Sequence, residues 1–295
     1  MIALVQLLIS GILLGGIYAL AAFGLALIFG VCNILNLAHG EFLMLGALVC
    51  FLLGHSLGID PFAAILLLMP LFFVLGMLFE RGLLRSVVEK TGHEQLTASV
   101  LVTLGLSLCI EDIARALWGG EEKGLYYSLP PIILGQGTIV ISSVRLLALG
   151  CIVGITVMVH QFLTHTYFGK ALRAVTQNRR GALLVGVNTA HVGLITCGLG
   201  TMLAAVAGVF YLLLYSINPF IGLPLTLRYL CIIVLGGLGS LFGSLVGGVI
   251  LGVTEVLTGY LLNPHWQETV AFLMLVVVLL VRPQGLFGEK IIDRV

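Results

Sequence analysis

Asn33, Asn36, His39 and Glu41 lie in the stretch FGVCNILNLAHGEFLMLGA (29–47), behind a run with no Asp, Glu, Lys or Arg from Met1 onward. Carboxamide, imidazole and carboxylate groups can hold polar solutes, and in hydrocarbon they are expensive unless they face a cavity or a bundle interior. Asparagine together with Gly40 also suits a break in a membrane helix, where the freed backbone needs polar neighbours or water. An ordinary polar turn at the membrane interface is the alternative. A second interruption, SINPFIGLP (216–224), contains Asn218, Pro219, Gly222 and Pro224. One interrupted apolar segment in each half points to a translocation pathway at Asn33, Asn36, His39, Gly40, Glu41, Asn218 and Pro219.

A third feature is basic. The connection THTYFGKALRAVTQNRRGALLVGVNT (164–189) holds Lys170, Arg173, Arg179 and Arg180 and no acid. If 168–180 is helical, Lys170, Arg173, Gln177 and Arg180 share one face at spacings of three and four. Ala171, Leu172 and Val175 fall mainly elsewhere, which makes a short amphipathic helix at the membrane surface. Two readings stand side by side: a positive loop that only sets topology, or a helix that docks into a groove on a cytoplasmic partner.

Bond-making chemistry finds little support. The histidines show no HExxH or other metal-ligand spacing, and GxSxG is absent. Gly169-Lys170 is followed by alanine and lacks the upstream glycine of a P-loop, so any ATP used must be bound by another chain. Cys32, Cys50, Cys109, Cys151, Cys197 and Cys231 are scattered without a CxxC pair and read as small packing residues. Glu111, Asp112 and Arg115 read as a solvated helix end. Glu255 reads as interfacial, at the end of a helix that Arg228 begins. No metal, cofactor or nucleic-acid partner is expected.

The elements that must position these residues follow from composition. Of 295 residues, 60% are apolar and 9% charged, with a net charge of +1, and the mean hydropathy is +1.18. A soluble fold of this size needs more polar surface. Lipid demands internally satisfied backbone, so the chain reads as an all-α polytopic membrane protein. Apolar segments near 2–30, 42–58, 62–79, 96–118, 144–163, 190–216, 227–254 and 267–281 predict about eight transmembrane helices, eight to ten counting broken segments. The first is too long for a cleaved signal peptide and lacks a basic start, so it reads as a retained helix. No boundary divides residues 1–295, which read as one domain.

The excess of Lys and Arg places 164–189 inside, with 80–95 also inside and 119–143 outside as a Gly/Pro/Ser-rich loop. Single crossings then put Met1 and the tail 282–295 outside, against the basic character of Arg282, Lys290 and Arg294. One broken segment, at 30–42 or 217–226, would reverse that parity. Gly239, Gly243 and Gly247 recur every fourth residue, beside a row of Gly236, Ser240, Ser244, Gly248 and Gly252. Gly11, Gly15 and Ala19 form a similar row. Such rows let helices approach closely in lipid.

Four stretches in this order, GLALIFGVCNILNLAHGEFLMLGA, FGKALRAVTQNRRGALLVGVNT, IVLGGLGSLFGSLVGGVILGVTE and RPQGLFG, resemble the branched-chain amino-acid ABC transporter permeases, in particular their shorter, H-type membrane subunit. The resemblance covers essentially the whole chain. It implies a multi-pass inner-membrane importer subunit that works with a second homologous permease, two cytoplasmic ATPases and a periplasmic substrate-binding protein. It maps ATPase coupling onto Gly169, Lys170, Ala171, Arg173, Ala174, Gln177 and Asn178. Two departures stand out: Gln177-Asn178 where an acidic residue often stands, and GSLFGS where many relatives carry proline. Urea or short amides are the alternative cargo. An ion-gradient-driven transporter or channel is the rival from another class, with Glu41 and Glu255 as its only notable intramembrane carboxylates, and an intramembrane enzyme lacks its motifs.

Overall fold

The computed structural model describes residues 2–88, 90, 93–127, 129–130, 132–134, 139–282 and 284–288. The helices run α1 (Ile2–Cys32), α2 (His39–Leu57), α3 (Pro61–Phe79), a π turn (Glu80–Leu84), α4 (Arg85–Val88) and α5 (His93–Trp118). A short antiparallel hairpin follows, β1 (Ile132–Leu134) with β2 (Ile139–Ile141). Then come α6 (Ser143–His165), α7 (Tyr167–Gln177), α8 (Arg179–Leu184), α9 (Thr189–Leu214), α10 (Gly222–Gly236), α11 (Leu241–Leu261) and α12 (Trp266–Val281). Among the described residues, seven spans are long and apolar enough to cross a bilayer, and α10 and α12 are shorter apolar helices. The helical membrane architecture matches expectation, and among the described residues the hairpin in the 119–143 connection is the one departure from an all-α chain.

Helices α1 and α9 form the centre and are the most enclosed of the spans. Both are uniformly apolar because both are surrounded by protein, as a helix hydrophobic all round must be. Glycine sets the approach distances. A Cβ on Gly15 would lie 2.6 Å from the Val249 Cα, and one on Gly248 would lie 2.6 Å from the Ala19 Cα, so α1 and α11 meet backbone to backbone. In lipid, where apolar burial gives no net drive, such contact is the source of association.

The expected single helix at 227–254 is two. Gly237 (φ 105°) and Gly239 (φ 83°) take left-handed conformations that end α10 and turn the chain into α11, and Ser240 caps α11 by accepting from the Gly243 N–H at 3.0 Å. Gly243 and Gly247 do pack, against Gly236 and Ile232 of α10, whereas a side chain on Gly239 would meet nothing within 4 Å. The row of three is therefore one turn glycine and two packing glycines. A Gly-Gly-Leu-Gly run reads equally well as a packing stripe or as a turn, and the positive φ angles decide it.

That extra element changes the end at which the tail emerges. The Leu286 N–H donates to the Leu235 carbonyl at 2.8 Å and the Phe287 N–H to that of Gly236 at 3.0 Å. Gly239 and Leu241 share a cavity with Leu172, Arg173, Thr176 and Gln177 of α7. Residues 284–288 thus lie at the α7 end of the bundle, on the side that the basic residues favoured and opposite to the single-crossing count. Lys290 and Arg294 lie outside the described residues. The opposite end is marked by Arg145, which donates to Ser10 at 3.1 Å. It also holds Lys123, whose backbone pairs with Ile217, and Asp60, which caps α3 and receives the Tyr127 hydroxyl at 2.8 Å. That hydrogen bond to a carboxylate holds the Tyr127 phenol above its usual range.

Candidate functional site

α1 ends where Asn33 enters the left-handed region (φ 53°), a conformation asparagine tolerates better than most residues. Residues 33–36 leave the helix without regular structure of their own. Asn36 folds its carboxamide back to accept from the Ala38 N–H at 3.1 Å, and α2 starts at His39. The His39 Nε2 pairs with the Ala21 carbonyl at 2.9 Å. A carbonyl only accepts, so Nε2 carries the proton and Nδ1 is left as an acceptor. Since Ala21 lies midway along α1, α2 begins in the interior of the bundle.

α10 begins at the same place. The Gly40 N–H donates to the Thr226 Oγ1 at 2.7 Å. A Cβ on Gly40 would collide with the Gly222 carbonyl, and one on Gly222 would collide with the Glu41 carboxylate. From this crossing the two helices diverge. α10 runs to the α7 end, while α2 runs to the opposite end, where Phe51 lies 5.6 Å from the Lys123 ammonium. Two helix N-termini, each the positive end of a dipole, therefore converge on the Glu41 carboxylate.

The broken backbone is held by a polar ladder on α5. Gln95 Nε2 donates to the Cys32 carbonyl at 2.7 Å. Ser99 Oγ accepts from the Leu35 N–H at 3.4 Å, and Thr103 Oγ1 accepts from the Leu37 N–H at 3.0 Å. Thr103 also donates toward the Leu35 carbonyl at 3.2 Å, and the Ser107 hydroxyl donates to Glu41 Oε1 at 2.8 Å. All four ladder side chains are buried. These residues were missed in the sequence, although polar types at 95, 99, 103 and 107 recur every fourth residue along an otherwise apolar helix. That periodicity was the available signal.

Asn36, His39 and Glu41 are completely buried, and each keeps one side-chain atom without a hydrogen-bond partner: Nδ2, Nδ1 and Oε2. Gly40 belongs to the same crossing. Asn33 is exposed at the edge of the break. Asn218 and Pro219 stand apart, in the connection that leads into α10, where the Asn218 carboxamide accepts from the Phe220 N–H at 2.9 Å and shapes a turn.

One turn further into α10 lies a charged network that crosses four helices. Arg228 Nε is 3.5 Å from Glu255 Oε1, and its Nη2 is 2.8 Å from Glu268 Oε1. Tyr18 donates to Glu255 Oε2 at 2.8 Å and accepts from Arg228 Nη1 at 2.9 Å. Glu255 is buried in the bundle rather than interfacial, because Arg228 and Tyr18 compensate its charge. Arg228 and Glu255 belong to different helices, which the reading of 227–254 as one helix concealed.

At the α7 end, Thr166 caps α7 by accepting from the Gly169 N–H at 3.2 Å. A Cβ on Gly169 would strike the Leu163 carbonyl, so the turn from α6 into α7 needs glycine. Gly169, Ala171, Leu172 and Val175 are buried, Ala174 is half-buried, and Lys170, Arg173, Gln177, Asn178 and Arg180 are exposed. Arg173 Nη1 donates to the Leu163 carbonyl at 2.6 Å, closing off the C-terminal end of α6. The single helix expected over 168–180 is two, because Asn178 takes an extended conformation that ends α7; its Oδ1 accepts from the Gly181 N–H at 2.8 Å and caps α8, which takes Arg180 off the α7 face. A neutral asparagine caps a helix about as well as an aspartate does, which accounts for the missing acid at that position.

A family profile described as branched-chain amino acid transport system / permease component matches residues 7–279. The chain is 29% identical over 304 residues to the high-affinity branched-chain amino acid transport system permease protein LivH of Salmonella typhimurium, covering 98% of this chain and 97% of that one. It is 29% identical to LivH of Escherichia coli K12 and 28% identical to BraD of Pseudomonas aeruginosa, again over 98% of this chain and 97% of each relative. No solved structure matches. With seven long apolar spans and such relatives, the chain is a multi-pass protein of the bacterial inner membrane. By this full-length match it belongs to the branched-chain amino acid transport permease family, as an H-type membrane subunit rather than an enzyme.

Proposed function

We propose that this chain is the pathway-forming permease subunit of an ATP-driven importer of branched-chain amino acids. The whole of 1–295 acts as one permease domain. A second homologous permease completes the membrane pathway, two cytoplasmic ATPases drive it, and a periplasmic binding protein delivers the cargo. The observation that carries this reading is the crossing of α2 and α10 at Gly40 and Thr226. Two helix N-termini and the Glu41 carboxylate meet there, offering partial charges of both signs, which suits the zwitterionic end of an amino acid. Asn33, Asn36 and His39 support the break beside the path, and Asn218 and Pro219 shape the entry into α10.

The segment 164–189 transmits the drive. α7 buries Leu172 and Val175 and presents Lys170 and Gln177 outward, with Arg180 exposed on α8, so a partner that moves α7 displaces the helix that lies beside the end of α1, where the two line one cavity. ATP-driven closure of the partner ATPases then shifts the population between conformations open to either side.

The test is reconstitution. Proteoliposomes holding the four-subunit membrane complex and the binding protein are expected to take up labelled leucine only with ATP on the ATPase side. Uptake by this chain alone, driven by an imposed ion gradient, would overturn the reading. Transport of urea in preference to leucine by the assembled complex would replace the cargo and leave the mechanism.

A further inference from the structure

At the α7 end a cleft separates the π turn from the start of α9. It consists of a cavity of about 190 Å³ lined by Glu80, Arg81, Arg85, Asn188 and His191, joined to one of about 40 Å³ that Arg179 and Thr189 also line. Glu80 and Arg85 belong to both cavities. The π turn explains the arrangement. Its wider winding turns Glu80 into the protein while Arg81 and Arg85 stay exposed, and such local insertions are frequent at functional positions. Arg81, Arg85 and Arg179 line the cleft with a single carboxylate, Glu80, among the described residues, and His191 lies beside them. The cleft is built for an anion.

What lies alongside indicates the kind of anion. Leu67, Leu71, Val74 and Leu78 are all exposed. At spacings of four, three and four they form one stripe of α3, which leads directly to Arg81 and Arg85. An apolar stripe a bilayer leaflet deep that ends in paired guanidinium groups has the profile of a phospholipid, with acyl chain along the helix and phosphate at the arginines. Basic pockets between helices at this level recognise lipid head groups by that chemistry. Arginine matches phosphate oxygens with its planar fork of donors. We propose that this cleft holds the phosphate of an anionic phospholipid of the inner leaflet, between the π turn and α9. Residues that merely set topology do not require the cavity between the π turn and α9.

Native mass spectrometry of the full chain, released from detergent with added phosphatidylglycerol, phosphatidylcholine or inorganic phosphate, tests this. Wild type is expected to retain phosphatidylglycerol in preference to phosphatidylcholine. Retention should fall roughly tenfold or more in R81Q/R85Q, fall less in R81K/R85K, which keeps the charge but loses the fork, and be unchanged in R115Q, whose ion pair with Asp112 is on α5. Equal retention by wild type and R81Q/R85Q would overturn the proposal. So would displacement of the lipid by an equal concentration of inorganic phosphate, which would assign the cleft to a free anion. Loss of ATPase co-purification by R81Q/R85Q with lipid retention intact would make the cleft a protein-docking surface instead, and would also overturn it.

Discussion

The Gly40 amide donates to the Thr226 hydroxyl at 2.7 Å, and the Gly40 backbone lies against the Gly222 carbonyl with no room for a side chain between. This contact joins residues 186 positions apart and fixes the point from which α2 and α10 diverge. Anything that widens it alters the geometry of both helix starts at once.

Gly40→Ala is therefore expected to destabilise the chain by about 1–3 kcal/mol through overpacking and to abolish uptake. Gly105→Ala is the control, since a side chain there meets nothing within 4 Å and alanine favours a helix. Thermal unfolding of both variants beside uptake in vesicles decides the matter. A fully active Gly40→Ala would show that the crossing is not tight in the working protein.

The α5 ladder carries its own expectation. Thr103→Val keeps the shape but leaves the half-buried Leu37 N–H without its acceptor, at a cost of about 1 kcal/mol. Thr103→Ser should restore most of it. Hydrogen exchange at Leu35 and Leu37 should accelerate in the valine variant and return toward wild type in the serine variant. Unchanged exchange would mean that the break is held by something other than α5.

Which parts were legible in the sequence has a physical explanation. The polar break at 33–41 stood out because asparagine, histidine and glutamate are costly in an apolar run, and α7 because its charges repeat at helical spacing. The division between α10 and α11 did not stand out: small residues serve a close helix contact and a tight turn alike, and only the positive φ of Gly237 and Gly239 separates the two. Glu255 was misplaced for a related reason. Its partners Tyr18 and Arg228 lie 237 and 27 positions away, and long-range pairing leaves no local trace.

That network yields a double-mutant test. Arg228→Gln leaves Glu255 buried without its cation, and Glu255→Gln removes the acceptor for it, so the first is expected to cost about 3–5 kcal/mol. The double variant should cost less than the sum of the singles. Glu268→Gln should stay within about 1 kcal/mol, because that carboxylate is 60% exposed. Strict additivity in denaturant unfolding would contradict a coupled pair.

Docking and folding roles can be separated on α7. Arg173 both faces outward and binds the end of α6, so Arg173→Gln is expected to lose stability and ATPase association together. Lys170→Glu on α7 with Arg180→Glu on α8 alters only exposed side chains. It should leave stability within about 0.5 kcal/mol while abolishing ATPase co-purification. Normal co-purification of that double variant would remove the 164–189 segment from the coupling role.

The most direct measurement is aqueous access to the crossing. In the assembled transporter, with exposed Cys109 and half-buried Cys151 replaced by serine, cysteine is placed at Thr226 and, separately, at Ser107, and probed with a membrane-impermeant thiol reagent without nucleotide, with ATP and in a trapped state. The expected result is labelling in at least one state, slowed by leucine with its binding protein. Absence of labelling at both positions in every state, in complexes that still transport, would contradict a pathway through the α2–α10 crossing.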